Sequence, residues 1–192
     1  MSGRIIVAWT GASGLVYGTR LVEVLLAAGR EVHLMYSPAV RQTAPVELGR
    51  PVEDLIAALG DDRLHVCKPD DFSEPAASGS AEFEGMAICP CSMSTLARVA
   101  TGTGDTLLLR AADVCRKERR RLILVPRETP LATHHLRHMA DLSADGVTVL
   151  PAMPGFYTRP TRIEDLVDFI VQRICDRLDV PSELGGRWGD AT

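Results

Sequence analysis

Short apolar runs alternate with longer amphipathic stretches along almost the whole of this chain, and that alternation constrains the fold more than any single motif. Arg4–Trp9, Glu31–Tyr36, Met86–Cys89, Leu122–Val125 and Gly146–Leu150 have the length and composition of strands. Leu64–Cys67 reads as a further strand at an edge. Between the runs, apolar residues recur at helical spacing: Leu21, Val24, Leu25 and Ala28 share one face of a helix predicted from about Ser13 to Ala28. Ser37-Pro38 looks like an N-cap with proline at the first helical position, opening a helix toward Glu47. Other helices are predicted over 51–59, 92–100, 106–119, 131–144 and 163–178, the last capped by Thr161 or the residue before it. Residues 69–84 read as a loop long enough to suggest a function. Strands that are apolar throughout are covered on both faces, so the expected fold is α/β: a Rossmann-like, doubly wound, mostly parallel sheet flanked by helices. Ligands of such sheets bind beyond the carboxyl ends of the strands.

Length and charge narrow the function classes. At 192 residues the chain is expected to form one domain, residues 1–180, followed by a tail, residues 181–192. No apolar run approaches membrane-spanning length, and Met1–Trp9 lacks the cationic start of a secretory signal. A net charge of −4 argues against a nucleic-acid partner. Five cysteines at irregular spacings, with no C-x-x-C, argue against a disulfide frame or a zinc site and for reduced thiols in the cytoplasm.

The residues with chemistry fall at the strand ends. After the run Leu122–Val125 comes Pro126-Arg127-Glu128-Thr129-Pro130. Its prolines stiffen the turn, arginine offers a planar fork to phosphate or a flavin carbonyl, and glutamate can move a proton. Thr10-Gly11-Ala12-Ser13-Gly14 follows the first strand, where the helix N-terminus and the Ser13 hydroxyl can hold an anion, the alternative being glycines that serve turn geometry alone. It is not G-x-G-x-x-G, and Ser37 rather than an acid ends the second strand, so a mononucleotide is preferred to a dinucleotide. Pro90-Cys91-Ser92-Met93-Ser94-Thr95 offers hydroxyls and first-turn N–H groups, or plain capping, while Cys89 and Cys91 read as structural thiols. The basic run 116–121 reads mostly as a solvated helix end, from which single members such as Lys117 would face the cleft. Pro154-Gly155-Phe156-Tyr157 follows the last strand, with Arg173 on the final helix; such an aromatic can stack on a flavin or an isoprenoid. His134 and His135 suit local contacts rather than catalysis.

Taken in order, these pieces resemble the UbiX-type flavin prenyltransferase family. The matching segments also include Ala-Ser-Gly-Ser (77–80), Arg-Ala-Ala-Asp-Val (110–114), Lys-Glu-Arg-Arg (117–120) and Arg-Trp-Gly (187–189). The resemblance implies an FMN-binding subunit, usually in a dodecamer with active sites between subunits. It implies metal-independent transfer of a dimethylallyl group from dimethylallyl phosphate to N5 and C6 of reduced FMN, the product serving a UbiD-type decarboxylase. Carried over by position, Gly11, Ala12, Ser13, Ser37, Ser92, Met93, Ser94, Thr95, Arg110 and Arg127 would bind FMN. Lys117, Tyr157 and Arg173, aided by Arg127, would hold dimethylallyl phosphate, and Glu128 would be the acid/base. Ser13 and Glu47 would complete the proton transfers, with Glu47 acting in its own subunit or a neighbour's. The chain departs from the family's frequent Ser-Lys at Ser37-Pro38, and Pro45 precedes Glu47 in its helix. The competing readings are an FMN-dependent decarboxylase and a non-catalytic flavin carrier.

Overall fold

The computed structural model describes residues 3–185, so the Arg-Trp-Gly segment at 187–189 and most of the expected tail lie outside the described residues. The strands are β1 (Arg4–Trp9), β2 (Glu31–Tyr36), β3 (Leu64–Val66), β4 (Gly85–Cys91), β5 (Arg121–Pro126) and β6 (Thr148–Val149). The helices are α1 (Leu15–Ala27), α2 (Val40–Leu48), α3 (Val52–Leu59), α4 (Met93–Ala100), α5 (Leu107–Lys117), α6 (Thr133–Ala144) and α7 (Ile163–Leu178). All strand pairs are parallel, in the order β3-β2-β1-β4-β5-β6. This is the doubly wound order, and it reverses direction between β1 and β4.

Both faces of the sheet are covered, which is why β4 is buried at every position and β1 and β5 at all but the first. One face packs against α1 and α7, with Leu21 and Leu25 meeting the stripe Val167, Ile170, Val171, Ile174 and Leu178. The other packs against α4 and α5 and the loop after β3, through Leu96, Leu107, Ala111 and Phe83. Gly18 lets α1 lie close on the sheet: a Cβ there would sit 2.3 Å from the Cys89 carbonyl oxygen and 2.7 Å from the Trp9 ring.

Several boundaries differ from the sequence reading, each for a local reason. Helix α1 starts at Leu15 rather than Ser13, because Gly14 takes a left-handed φ of 107° as its N-cap. Ser37 does not cap α2 through its side chain; its carbonyl accepts from the Val40 N–H in a turn, and the helix opens after Ala39. Helix α7 is capped by neither Thr161 nor the residue before it but starts after Arg162, and the Asp165 carboxylate accepts from the N–H groups of Thr161 (2.8 Å) and Arg162 (3.0 Å). Helix α5 ends at Lys117, since Arg119 turns the chain with φ 56°. Strand β6 shrinks to two residues at the sheet edge, and the 69–84 loop contains a 3-10 turn over Pro75–Ala77.

Candidate active site

The crevice between the carboxyl ends of β1 and β4 is held by Thr10, which is fully buried. Its hydroxyl donates to the Pro90 carbonyl at 2.8 Å and accepts from the Ser92 N–H at 2.7 Å. One side chain thereby fixes the glycine turn after β1 relative to the start of α4. Beyond it, Ser92 is the N-cap of α4: its hydroxyl accepts from the Thr95 N–H at 3.2 Å and donates to the Thr95 hydroxyl at 3.0 Å. The Ser92 hydroxyl proton is thus committed to the cap, while its oxygen keeps a second lone pair. The Thr95 hydroxyl proton and the first-turn N–H groups of Met93 and Ser94, beyond the reach of any helical carbonyl, remain for a ligand.

The glycine turn is shaped from the other side by α2. A Cβ on Gly11 would come within 2.5 Å of the Ala39 Cβ. The Glu47 carboxylate accepts from the N–H groups of Gly14 (2.9 and 3.2 Å) and Leu15 (2.9 Å) of its own chain. The N-terminus of α1 does hold an anion, and the anion is this glutamate. Pro45 is accommodated inside α2 without preventing that contact.

Ser37, at the end of β2, has a buried hydroxyl with no hydrogen-bond partner. It lines a cavity of about 70 Å³ together with Thr95 and Thr106. An orphaned buried hydroxyl beside the cap of α4 is what a missing polar ligand leaves behind, and these residues fit the flavin mononucleotide implied by the sequence.

From β5, the Arg127 Nε donates to the Ser13 carbonyl at 3.1 Å, laying the guanidinium stem across the crevice. Glu128 next to it is exposed, its carboxylate accepting from the Thr129 N–H at 3.0 Å. Tyr157 and Arg173 line a separate, larger cleft of about 410 Å³ with Phe169 and Gln172. The Tyr157 ring meets Phe169 edge-on at 5.8 Å, and the Arg173 guanidinium donates to Asp176 at 3.3 Å.

Two expected members stand elsewhere in the chain. Lys117 is not among the residues lining the Tyr157–Arg173 cleft; it pairs with Glu118 beside Gly79. Arg110 donates to the Ala77 carbonyl at 3.2 Å and to Asp113 at 3.1 Å, and Arg120 donates to the Gly79 carbonyl at 2.5 Å. Both arginines hold the 77–80 loop on α5. Two further members of the basic run are paired within the chain, Arg116 with Asp145 and the Val99 carbonyl and Arg121 with Asp179.

All five cysteines are free and buried. Cys89 and Cys91 sit in cores on opposite faces of the sheet and cannot share a ligand. Burial pushes the Cys89 and Cys91 thiols far up, Cys115 and Cys175 up to about 11, and Cys67, also facing the Glu74 carboxylate, up to about 12. His135 accepts from the Ala132 N–H at 3.1 Å, a local capping contact.

A flavoprotein family profile matches residues 2–175. The chain is 46% identical to the flavin prenyltransferase UbiX of Halalkalibacterium halodurans, over 98% of this chain and 94% of that protein. It is 45% identical to the flavin prenyltransferase UbiX of Pseudomonas aeruginosa, over 99% and 97%. Among solved structures, AnUbiX (PadA1) in complex with FMN and dimethylallyl pyrophosphate superposes with a TM-score of 0.93 at 38% identity, covering both chains fully. A dodecameric FMN-dependent UbiX-like decarboxylase from Escherichia coli O157:H7 follows at TM-score 0.88 and 40% identity, covering 98% of this chain and all of that one. With a flavoprotein profile spanning nearly its full length and close relatives of one kind, the chain belongs to the UbiX-type flavin prenyltransferase family.

Proposed function

We propose that this protein is a flavin prenyltransferase that joins a dimethylallyl group from dimethylallyl phosphate to N5 and C6 of reduced FMN, without a metal. The observation that carries the reading is that the chain holds two differently built sites, one suited to each substrate. The crevice at the β1/β4 reversal offers an orphaned hydroxyl, open first-turn N–H groups and Arg127, which suits a flavin mononucleotide. The cleft of Tyr157 and Arg173 joins aromatic surface to a cation, which suits a prenyl phosphate.

In the proposed roles, Gly11–Ser13, Ser37, Ser92–Thr95 and Arg127 hold FMN, and Tyr157 and Arg173 hold the phosphate of the donor. The Arg173–Asp176 pair is about half exposed on the arginine side, and such pairs contribute less than about 1 kcal/mol. A doubly charged phosphate therefore competes well for that guanidinium. Reduced FMN supplies the nucleophile when bound. Glu128 moves the proton at N5 or at the departing phosphate, with Ser13 and Glu47 completing the transfer. Cationic side chains take the leaving-group charge that a metal would otherwise carry. Lys117 joins this cluster from a neighbouring subunit, since its own α5 directs it to the 77–80 loop. That arrangement requires a homo-oligomer, and one relative is dodecameric. Residues 1–180 act as one FMN-binding domain, the product passes to a UbiD-type decarboxylase, and the protein works in the cytoplasm. Among the described residues no helix is long and apolar enough to cross a membrane.

The test is anaerobic incubation of the purified protein with reduced FMN and dimethylallyl phosphate, then mass spectrometry of the released flavin. A flavin heavier by one five-carbon unit, formed in the presence of chelator, is the expected result. FMN that binds but returns unmodified with both phosphate and pyrophosphate donors would sink the transferase reading in favour of a carrier or a decarboxylase.

A further inference from the structure

A compact group of metal-ligating atoms stands at the β2–β3 edge of the sheet, apart from the site described above. His33 and His65 face each other in register on the two strands, and His33 is 6% exposed. The His33 Nε2 lies 2.9 Å from the Glu31 carboxylate, and its Nδ1 lies 3.9 Å from the Cys67 Sγ. Cys67 is 3% exposed and held by its own N–H, which donates to the Leu34 carbonyl at 2.8 Å. A Glu74 carboxylate oxygen completes the group, and the three ligand atoms lie within 4.8 Å of one another. Glu74 is delivered by a turn that Asp71 organises, its side chain accepting from the Ser73 N–H and its carbonyl from the Glu74 N–H.

We propose that His33 Nδ1, Cys67 Sγ and a Glu74 carboxylate oxygen bind one divalent cation of the zinc class, with Glu31 as the positioning residue. The spacing supports it. Tetrahedral coordination at about 2.0–2.3 Å from the metal separates neighbouring ligand atoms by about 3.3–3.6 Å, within side-chain adjustment of what the fold holds ready. With its proton on Nε2, His33 donates to the Glu31 carboxylate, which leaves the Nδ1 lone pair facing the thiol and Glu74. A carboxylate behind a histidine is the usual support of a metal-bound imidazole. Thiolate, imidazole and carboxylate together favour zinc and its neighbours over magnesium or calcium. On binding, the Cys67 thiol gives its proton to solvent and a sulfur–metal bond forms; a water takes the fourth position, and nothing is oxidised.

The cation ties the start of the 67–84 segment to β2, while Arg110 and Arg120 hold the same segment further on. Its role is structural and leaves the metal-independent reaction as it stands. Glu31, His33 and His65 form a rival trio at the surface, through a half-exposed His65. The test separates them.

Metal-stripped, full-length protein is titrated with Co²⁺ and followed by absorbance. The expected result is one equivalent bound with a thiolate-to-cobalt charge-transfer band that Zn²⁺ abolishes. Cys67→Ser removes the band, Glu74→Gln weakens binding about tenfold or more, and His65→Gln leaves both unchanged. A band that is missing with cobalt in excess, survives Cys67→Ser or disappears in His65→Gln would overturn the assignment. X-ray absorption of the zinc-loaded wild type needs no variant: one sulfur at about 2.3 Å is expected, and a shell of nitrogen and oxygen alone rejects the site.

Discussion

Replacing Ser37 by alanine should move stability and flavin affinity in opposite directions, because the serine hydroxyl is buried with no partner from the chain itself. An unsatisfied buried hydroxyl costs about 1–3 kcal/mol relative to its apolar counterpart. The adjoining cavity of about 70 Å³ is large enough to admit a water, which lowers the expected gain for Ser37→Ala to the bottom of that range, about 1 kcal/mol. For a chain of this length that raises the apo Tm by about 2–4 °C, read at one fixed protein concentration. Binding responds the other way. A lost neutral hydrogen bond to FMN contributes about 0.5–1.5 kcal/mol, a roughly 2- to 12-fold rise in Kd; a lost bond to the phosphate contributes about 1.5–3 kcal/mol and exceeds that. Flavin fluorescence quenching on the apo variant measures the Kd, and its size tells which part of FMN the hydroxyl meets. An unchanged Kd, or an apo protein destabilised by more than about 1 kcal/mol, would refute the reasoning, since the hydroxyl would then be structural.

Glu128→Gln should keep FMN binding within about twofold and slow prenylation by about 10²–10⁴-fold, the range for loss of a positioned acid/base; full activity would remove Glu128 from the chemistry. Thr10→Val should destabilise by about 2–4 kcal/mol in urea unfolding. The Pro90 carbonyl keeps the Thr10 N–H at 3.2 Å, so only the Ser92 N–H is orphaned; Thr10→Ser should restore most of the loss, and a failed rescue would indicate a packing effect instead. Burial pushes Cys115 and Cys175 up to about 11, Cys67 up to about 12 and Cys89 and Cys91 far up, all above the value of about 8.5 in an unfolded chain, so the folded state keeps protons on all five thiols that the unfolded state gives up. Their contribution is complete below about pH 8.5 and fades as pH climbs toward 11, at up to about 1.4 kcal/mol per pH unit for each thiol. Chemical denaturation between pH 8 and 10.5 checks the slope, and a disulfide reagent should find no reactive thiol until denaturant is added.

The strands were legible because β1, β4 and β5 are covered on both faces and so read as unbroken apolar runs. Their doubly wound, parallel arrangement followed from strand–helix alternation, and that topology is what directs attention to the carboxyl ends as the candidate site. Helix starts were less legible where a left-handed glycine with a distant acid, or an acid inside the first turn, does the capping, as at Gly14 with Glu47 and Arg162 with Asp165. At Ser37 the serine-proline pair imitates a cap while the chain makes one more turn. Lys117 was placed in the cleft by motif order, and nothing local in the sequence reveals that α5 turns it toward Gly79. The His33–Cys67–Glu74 group was invisible for a different reason. Its ligands come from β2, the residue after β3 and a later turn, so no ligand spacing along the chain resembles a zinc motif.

Glu47 gives the physical reason why this doubly wound sheet suits a mononucleotide. In dinucleotide-binding relatives of the topology, the pyrophosphate sits on the N-terminus of the helix after β1. Here that N-terminus is occupied by a carboxylate from α2, bound through the Gly14 and Leu15 N–H groups. A phosphate brought within about 4 Å of it would meet about 1–4 kcal/mol of repulsion, depending on solvent access, and would lose the N–H donors as well. On the proposed reading the phosphate must therefore use the other helix N-terminus at the reversal, that of α4, where Ser92 caps, Thr95 keeps a donor and the orphaned Ser37 hydroxyl shares the cavity. That leaves the α1 side of the crevice, with Ser13, Glu47 and the Arg127 stem, to the isoalloxazine end, where protons have to move. On that same reading the glutamate leaves no free donors at α1 for a second nucleotide phosphate, and the proposed acid/base role of Glu47 would be exercised from this contact.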